Sequence, residues 1–265
     1  MVASAEKQVV FPDLHGRYDL LRAGLAKYKN FQPIFLGDYI NGQPFERDVI
    51  DAVRDNYDPQ LGNAVLGNHE MTLLTVLQAA LSIESDKGDV EVAHTVIDLW
   101  SKSRAIGYSM LRSYGVNMRL YRQPQARLLR LYERMQETGD VDFLSQLPLM
   151  FEGRDMVAVH AGLTDESLTD QVQQLEVAKK QLLAGEVGIE PAQVYSHDLS
   201  RVRGAYAATD SVVVTGHTSF NEDETTRISD DGRHVRLGSN VKRESETTIF
   251  LYLTDQAKVV PVEAS

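Results

Sequence analysis

Short apolar stretches of this sequence end in side chains that can bind metal ions or transfer protons. Asp13 and His15 follow the strand-like stretch QVVF, residues 8–11. Alternation along an extended segment would point both side chains to one side, where they could share a metal ion. The competing explanation is that Asp13 caps the helix suggested by RYDLLRAGLAKY and that His15 is an ordinary loop residue. For this pair alone the second explanation is the commoner one.

The same pattern recurs further along the chain. Polar residues end four more strand-like runs: Asp38, Asn68, His69, His160 and His217. Four of the seven histidines therefore lie at strand ends beside a glycine or another small residue, in DLHG, GNHE, VHAG and TGHT. One such histidine is ordinarily structural, but the joint placement favours a shared metal or catalytic site. We expect the other histidines, His94, His197 and His234, to be ordinary polar residues.

Composition limits the chemistry of such a site. The 265 residues include no cysteine, so a metal ion would be held by His, Asp, Glu or Asn side chains. A formal net charge of -11 argues against a nucleic-acid partner. The amino end lacks the pattern of a secretion signal, and polar residues interrupt the most apolar long window, residues 64–83. We expect a cytoplasmic protein that binds no membrane.

Alternating strand-like and helix-like segments would position these residues. Apolar runs at Gln8–Phe11, in PIFLGD and in NAVLGN are separated by helix-like segments at Tyr18–Tyr28 and Phe45–Asn56. Strands that alternate with helices predict βαβ units and a mainly parallel sheet. In such a sheet, ligands gather beyond the carboxyl ends of the strands.

The rest of the chain is helical at first and then strand-rich. We interpret residues of about 71–146 as a helical insertion, with one apolar face: Val92, Val96, Leu99, Trp100 and Leu111. Strand patterns return in MVAVHAGL, VVVTGHTS, HVRLGS, TTIFLYL and KVVPVE, and the last part predicts a mostly antiparallel sheet. No repeat or flexible linker divides the chain, so we predict one domain over residues 1–265.

In their order, the motifs DLHG, GDYI, GNHE, HAGL and GHT closely resemble the calcineurin-like metallophosphoesterases. Within that superfamily the chain resembles the bacterial phosphoprotein phosphatases, the serine/threonine phosphatase family. The resemblance covers nearly the whole sequence, including LWSKSRAIGYSMLRSYGV and FLSQLPLMFEGRDMVAVHAGL. It implies an α/β fold of the α+β type, a four-layer sandwich of two mixed sheets flanked by helices, with a helical insertion.

The resemblance also implies a dinuclear metal centre in which Asp38 bridges two divalent ions. The other implied ligands are Asp13 and His15 for the first ion, and Asn68, His160 and His217 for the second. Such ions lower the pKa of a bridging water to about 7, so that hydroxide attacks phosphorus in line. Manganese is the ion that the resemblance favours, with iron or zinc as alternatives.

Three further residues have implied or altered roles in catalysis. The resemblance implies that His69 protonates the departing oxygen and that Arg201 binds phosphoryl oxygens with its guanidinium fork. The second motif of the family reads Gly-Asp-x-x-Asp-Arg-Gly, whereas this chain reads GDYINGQ. Asn41 therefore stands at the second acid position, and Gly42 stands at the arginine position. Asn41 accepts a hydrogen bond from imidazole but cannot stabilise imidazolium as an anion does.

The leading prediction is a metal-dependent phosphatase that acts on phosphorylated proteins or small phosphoesters. Because a weaker general acid matters least for good leaving groups, we expect aryl phosphates and phosphoanhydrides to be less affected than phosphoserine peptides. A hydrolase of diadenosine polyphosphates is one alternative. A metal-binding regulatory protein with weakened catalysis is the other.

Overall fold

Two four-stranded sheets, each with mixed strand directions, form the centre of the protein. The computed structural model describes residues 7–85, 89–102, 104–219, 223, 225–243 and 245–264. In chain order the strands are β1 (Gln8–Phe11), β2 (Gln32–Phe35), β3 (Met150–Glu152), β4 (Met156–Val159), β5 (Val212–Thr215), β6 (His234–Arg236), β7 (Thr248–Leu253) and β8 (Lys258–Glu263). The described α-helices are α1 (Tyr18–Lys27), α2 (Glu46–Asp55), α3 (Asn68–Ser85), α4 (Val90–Lys102), α5 (Arg104–Ser113), α6 (Pro124–Thr138), α7 (Asp140–Gln146), α8 (Leu168–Leu183) and α9 (Ala192–Tyr195).

The first sheet has the order β2-β1-β7-β8 and the second has the order β3-β4-β5-β6. In the first sheet β1 runs parallel to β2 and antiparallel to β7, with Val10 opposite both Ile34 and Tyr252. In the second sheet β4 pairs antiparallel with β3 and parallel with β5, which in turn runs parallel to β6. Both sheets are therefore mixed, as the resemblance implies.

Alternation along the strands divides the apolar residues between two cores. On β1, Val10 packs in a cluster to which both sheets contribute, whereas Val9 and Phe11 pack in the cluster that includes the helices. On β4, Ala158 and Val159 divide in the same way. The layers are therefore helices, sheet, sheet and helices, and the predicted fold class is confirmed.

The parallel pairings bring distant strand ends to one edge of the sandwich. β1 and β2 end just before Asp13 and Asp38. β4 and β5 end just before His160 and His217. Because parallel strands end on the same side, each sheet contributes a pair of candidate side chains to this edge.

Three details of the fold differ from the predictions. NAVLGN contributes only an isolated bridge between Phe35 and Ala64. β3 was not predicted. The C-terminal strands do not form one mostly antiparallel sheet: β7 and β8 pair antiparallel as predicted but join β1 in the first sheet, whereas β5 and β6 run parallel in the second. Strand pairing is set by contacts far apart in sequence, which local periodicity does not report.

The region predicted as an insertion contains the five helices α3 to α7. On α4 the buried side chains are Ala93, Ile97 and Trp100, whereas Leu99 is 64% exposed, so its predicted place on the apolar face is wrong. Spacings of three and four residues select the buried stripe, and Leu99 lies outside it. The division of the chain into one domain with an insertion stays a prediction. None of the described helices is long and apolar enough to cross a membrane.

Candidate metal centre

His15 and Asp38 form one side of the candidate centre, and both are buried. Nδ1 of His15 lies 2.8 Å from the carbonyl oxygen of Ile40, to which it donates a hydrogen bond. Nε2 of His15 therefore keeps its lone pair and faces Oδ2 of Asp38 at 3.6 Å. A backbone acceptor that fixes the tautomer in this way is typical of metal-binding histidines.

Asp13 carries a buried oxygen that lacks a partner. Oδ1 accepts a hydrogen bond from the backbone N–H of His217 at 3.1 Å, whereas Oδ2 has no hydrogen-bond partner among the described residues. Burial, together with the charge of Asp38, raises the pKa of the Asp13 carboxyl to about 6. A buried carboxylate oxygen without a partner is costly, so a cation beside it would stabilise the site.

A second group of side chains converges around the carboxylate of Asp38. Nε2 of His160 lies 3.4 Å from Oδ1 of Asp38 and 3.1 Å from Oδ1 of Asn68. Nδ1 of His217 lies 3.1 Å from the same Asn68 oxygen and 3.2 Å from Nε2 of His160. Ligands bound about 2.0–2.2 Å from one ion lie about 3 Å from each other, so this spacing fits a single small cation.

The tautomers of His160 and His217 also suit a cation at this position. Nδ1 of His160 donates to the carbonyl of Leu36 at 2.8 Å, and Nε2 of His217 donates to the carbonyl of Tyr195 at 3.1 Å. When both rings are neutral, their inward nitrogens therefore present lone pairs to each other and to the oxygen of Asn68. Burial acts to lower the pKa of His160, but Asp38 and Asp13 raise it to about 9, so the position strongly attracts positive charge.

Asp38 lies between the two groups, with Oδ1 toward His160 and Oδ2 toward His15. Burial acts to raise the pKa of Asp38, but His69 and His160 hold it well below its usual value. The backbone around Asp38 is positioned by the buried carboxylate of Glu70, which accepts the N–H groups of Asp38 at 2.8 Å and Gly67 at 2.9 Å. Glu70 thus aligns the turn that carries the central carboxylate.

Backbone strain is concentrated at this edge. Among the described residues, five other than glycine have positive φ angles, and four of them belong to the site: His15 at 44°, Asp38 at 53°, Asn41 at 66° and His217 at 62°. Such conformations cost free energy and persist where the surroundings hold them. The hydrogen bonds to Asp38 and Asn41 supply part of that restraint.

His69 lies beside His15 and Asp38, and it also contacts Lys242. Its Nε2 lies 3.0 Å from Nζ of Lys242 and 3.7 Å from Oδ2 of Asp38. Nδ1 lies 2.9 Å from the carboxamide of Asn41. An ammonium group only donates, so Nε2 of His69 accepts a hydrogen bond from Lys242. Nδ1 then carries the ring proton and donates to Asn41, which requires the amide to be turned by 180° so that its oxygen faces the ring. Burial lowers the pKa of His69, and the charge of Lys242 adds to this effect, although the carboxylate of Asp38 acts to raise the pKa.

Eight of the nine predicted site residues converge here: Asp13, His15, Asp38, Asn41, Asn68, His69, His160 and His217. Arg201 does not join them through any hydrogen bond or ion pair with a described residue. It is exposed on the 3-10 turn Leu199–Arg201, where Ser200 packs against Thr218 in the GHT motif. The catalytic and metal-binding roles of all nine residues stay predictions.

Sequence reasoning missed three contributors. Lys242 follows β6 outside any quoted motif. Glu46 accepts the backbone N–H groups of Asn41 at 2.7 Å and Gly42 at 3.1 Å. His197, expected to be an ordinary polar residue, stacks on His217 with ring centroids 4.4 Å apart and so lies at the edge of the site. Its position in the YSHD stretch ahead of Arg201 was the signal available in the sequence.

Comparison with known proteins shows the family to which the chain belongs. Residues 7–245 match the family of calcineurin-like phosphoesterases, and the chain belongs to that family. Members of this family are phosphoesterases that generally bind divalent metal ions. Two buried clusters in the described part of the chain could hold such ions, His15 with Asp38 and His69, and Asp13 with Asp38 and His160. We separate His69 from the ligands because its Nε2 is bonded to Lys242.

Two solved structures have a similar fold. One is a putative diadenosine tetraphosphatase, with 15% identity and a TM-score of 0.53 over 100% of this chain and 96% of that chain. The other is the cold-active protein-tyrosine phosphatase of a psychrophilic Shewanella species, with 15% identity and a TM-score of 0.57 over 98% of this chain and 81% of that chain. At this identity the likeness concerns the fold. The curated proteins contain no match to the sequence.

Proposed function

We propose that the chain is a dinuclear metal-dependent phosphatase that hydrolyses phosphate monoesters of proteins or small molecules. One observation supports this above all: Nε2 of His160, Nδ1 of His217 and Oδ1 of Asn68 point at one another beside Asp38. Neutral rings would leave three acceptors facing each other, so a cation stabilises the arrangement: a proton on His160 in the metal-free chain, or a metal ion in its place. The buried free oxygen of Asp13 marks the first position in the same way.

The proposed ligands are Asp13, His15 and Asp38 for one ion, and Asp38, Asn68, His160 and His217 for the other. Imidazole, carboxylate and amide ligands suit manganese, with iron and zinc as alternatives. When bound, the ions supply Lewis acidity that activates water and neutralises charge on the phosphoryl group.

The residues of the chain then position and protonate the substrate. His69, once protonated at Nε2, transfers that proton to the departing oxygen. Asn41 holds the ring through Nδ1 at 2.9 Å, but it lacks the charge that would stabilise the imidazolium. Arg201, exposed and without a described partner, is free to bind phosphoryl oxygens. Glu70 holds the turn at Asp38 in place by accepting a hydrogen bond from its backbone N–H.

The substrate follows from this weakened acid. An alkoxide from serine or threonine needs a proton as it leaves, whereas an aryl oxide or a phosphate needs less help. The pairing of His69 with a neutral Asn41 therefore favours aryl phosphates. The same observation supports the second candidate, hydrolysis of diadenosine polyphosphates, because the leaving group there is itself a phosphate.

The test is an assay of the purified chain with manganese, iron or zinc added. Its substrates are p-nitrophenyl phosphate, a phosphoserine peptide and diadenosine tetraphosphate. We expect metal-dependent hydrolysis, fastest for the substrates with good leaving groups. His69→Ala should lower kcat about 10²- to 10⁴-fold for the peptide and less for the aryl phosphate.

His94→Ala is the matched control, because His94 is exposed on α4. Paired nucleotides as the sole products would favour the second candidate over a phosphomonoesterase. A chain that binds the metals but hydrolyses none of the three substrates would contradict the proposal and indicate a metal-binding regulatory protein.

A further inference from the structure

Lys242, which is exposed to solvent, places a cation beside the candidate catalytic residue His69. Its Nζ lies 3.0 Å from Nε2 of His69, the nitrogen assigned to the departing oxygen in the proposed function. None of the described carboxylates forms an ion pair with Lys242.

The backbone of Lys242 is tied to the loops of the metal centre. Its carbonyl accepts a hydrogen bond at 2.8 Å from Nε2 of Gln43, whose own N–H donates to the carbonyl of His15 at 2.7 Å. The preceding residue, Val241, is fully buried. These contacts fix the base of the side chain, while four methylenes leave the ammonium able to move by several ångströms.

Neither Gly42 nor Arg17 supplies a cation at this place. A Cβ at Gly42 would lie 2.6 Å from the carbonyl oxygen and 2.7 Å from Cβ of His15, so a side chain there would require the loop to shift. Arg17 is committed, because Nε and Nη2 bond to Asp19 at 2.9 and 2.7 Å and Nη1 bonds to the carbonyl of Glu246. Lys242, by contrast, hydrogen-bonds the candidate catalytic side chain of His69.

We propose that Lys242 binds a phosphoryl oxygen of the substrate and thereby selects dianionic phosphate monoesters over monoanionic diesters. This inference rests on the proposed phosphatase function. On substrate binding, the ammonium exchanges its contact with Nε2 of His69 for a phosphoryl oxygen, which frees Nε2 for the departing oxygen. A lysine suits this exchange because its three donors rotate on a flexible stem. A second negative charge on the substrate strengthens the contact.

The experiment compares Lys242→Met with Arg243→Met, which removes an adjacent exposed cation from the same loop. For each manganese-loaded protein, calorimetry measures the Kd of inorganic phosphate, and elemental analysis measures bound manganese. KM and kcat are measured with p-nitrophenyl phosphate, a monoester, and with bis(p-nitrophenyl) phosphate, a diester. A Lys242→Arg variant tests whether another cation rescues binding.

We expect Lys242→Met to raise the Kd of phosphate and the KM of the monoester about 10- to 100-fold, the scale of one charged hydrogen bond. The KM of the diester should rise less, manganese content should not change, and Lys242→Arg should recover most of the phosphate affinity. Arg243→Met should match the wild-type protein in every measurement.

Two results would overturn the inference. One is a lower kcat in Lys242→Met with unchanged Kd and KM, which would mean that the lysine acts only through His69. The other is a loss of bound manganese, which would mean that it supports the metal centre. Because phosphate binding is measured without turnover, failure of the phosphatase function in the wild-type protein is read separately from failure of the lysine contact.

Discussion

The two halves of the site differ in how far they keep the pattern of the family. The metal-facing half, defined by its six proposed ligands, retains every side chain that the resemblance implies: Asp13, His15, Asp38, Asn68, His160 and His217. The substrate-facing half consists of Asn41, His69 and Lys242. Here an acid is replaced by an amide, and the arginine position is a glycine that packs against His15.

The difference shows that binding a metal ion constrains the side chains more strictly than binding phosphate does. A divalent ion needs several donors at bond distance from a single point, so losing one ligand leaves the others facing each other without compensation. Phosphate is less demanding, because any cation that reaches its oxygens lowers its energy. A lysine from after β6 can therefore supply a cation that Gly42, at the arginine position of the family, does not. Changes in the metal-facing half should accordingly cost the most activity.

Asp38→Asn is expected to have the largest effect. It removes the charge that the two ion positions share, so both ions should bind weakly and kcat/KM should fall about 1000-fold or more. The measurement is p-nitrophenyl phosphate hydrolysis with saturating manganese. Asp98→Asn, on the exposed side of α4, is the control. Loss of less than about tenfold would mean that Asp38 is not shared between two ions.

Arg201→Ala is expected to have an intermediate effect, since it removes one charged contact to phosphate and leaves the ligands intact. Its kcat/KM should fall about 10- to 100-fold, as the loss of a charged hydrogen bond predicts. Arg243→Ala serves as the comparison. An unchanged rate would mean that Arg201 does not bind the phosphoryl group.

Asn41→Asp should move the substrate-facing half back toward the family pattern. A carboxylate beside Nδ1 of His69, now 2.9 Å from the amide, stabilises the protonated ring that donates to the leaving group. We expect kcat for a phosphoserine peptide to rise about tenfold and kcat for p-nitrophenyl phosphate to rise less. Asn117→Asp, at an exposed turn, controls for added charge. An equal change for both substrates would contradict the assignment of His69 as the acid.

Glu46→Gln should have the smallest effect on turnover and a distinct effect on stability. Burial raises the pKa of Glu46 from 4.5 to about 7, so between these values the folded chain holds a proton that the unfolded chain has lost. Stability contributed by this proton is complete below pH 4.5 and falls as pH rises toward 7. Gln can still accept from Asn41 and Gly42 but does not ionise.

The check on Glu46 is Tm measured against pH for both proteins. The Tm of Glu46→Gln minus that of the wild type should increase between pH 4.5 and 7 and then level off. Glu137→Gln, which alters an exposed ion pair on α6, should show no such trend. If the difference in Tm between Glu46→Gln and the wild type did not change with pH, the Glu46 carboxyl would be ionised in the folded protein over this whole pH range.

Much of the metal-facing half could be predicted because its signals are local. Asp13 and His15 directly follow an alternating strand, and each later ligand follows an apolar run beside a glycine or small residue. Parallel pairing of β1 with β2 and of β4 with β5 then brings these ends together. The fold class came from the resemblance to the family, because the strand–helix pattern alone predicted a mainly parallel sheet and both sheets are mixed.

The substrate-facing half and the sheet order could not be predicted in this way. Lys242 meets His69 across 173 positions of the chain, and no spacing rule connects them. β7 lies beside β1 although the two are at opposite ends of the described chain. Glu46 acts on backbone N–H groups, which any residue carries, so no motif marks its role.

Metal stoichiometry tests the central claim most directly. The measurement is elemental analysis of the purified chain after loading with manganese and removal of free ions, carried out in parallel on His217→Ala. We predict two ions per wild-type chain, and a single ion when the second position loses its imidazole. A wild-type chain that retains no transition metal, or a variant that retains both ions, would contradict the account.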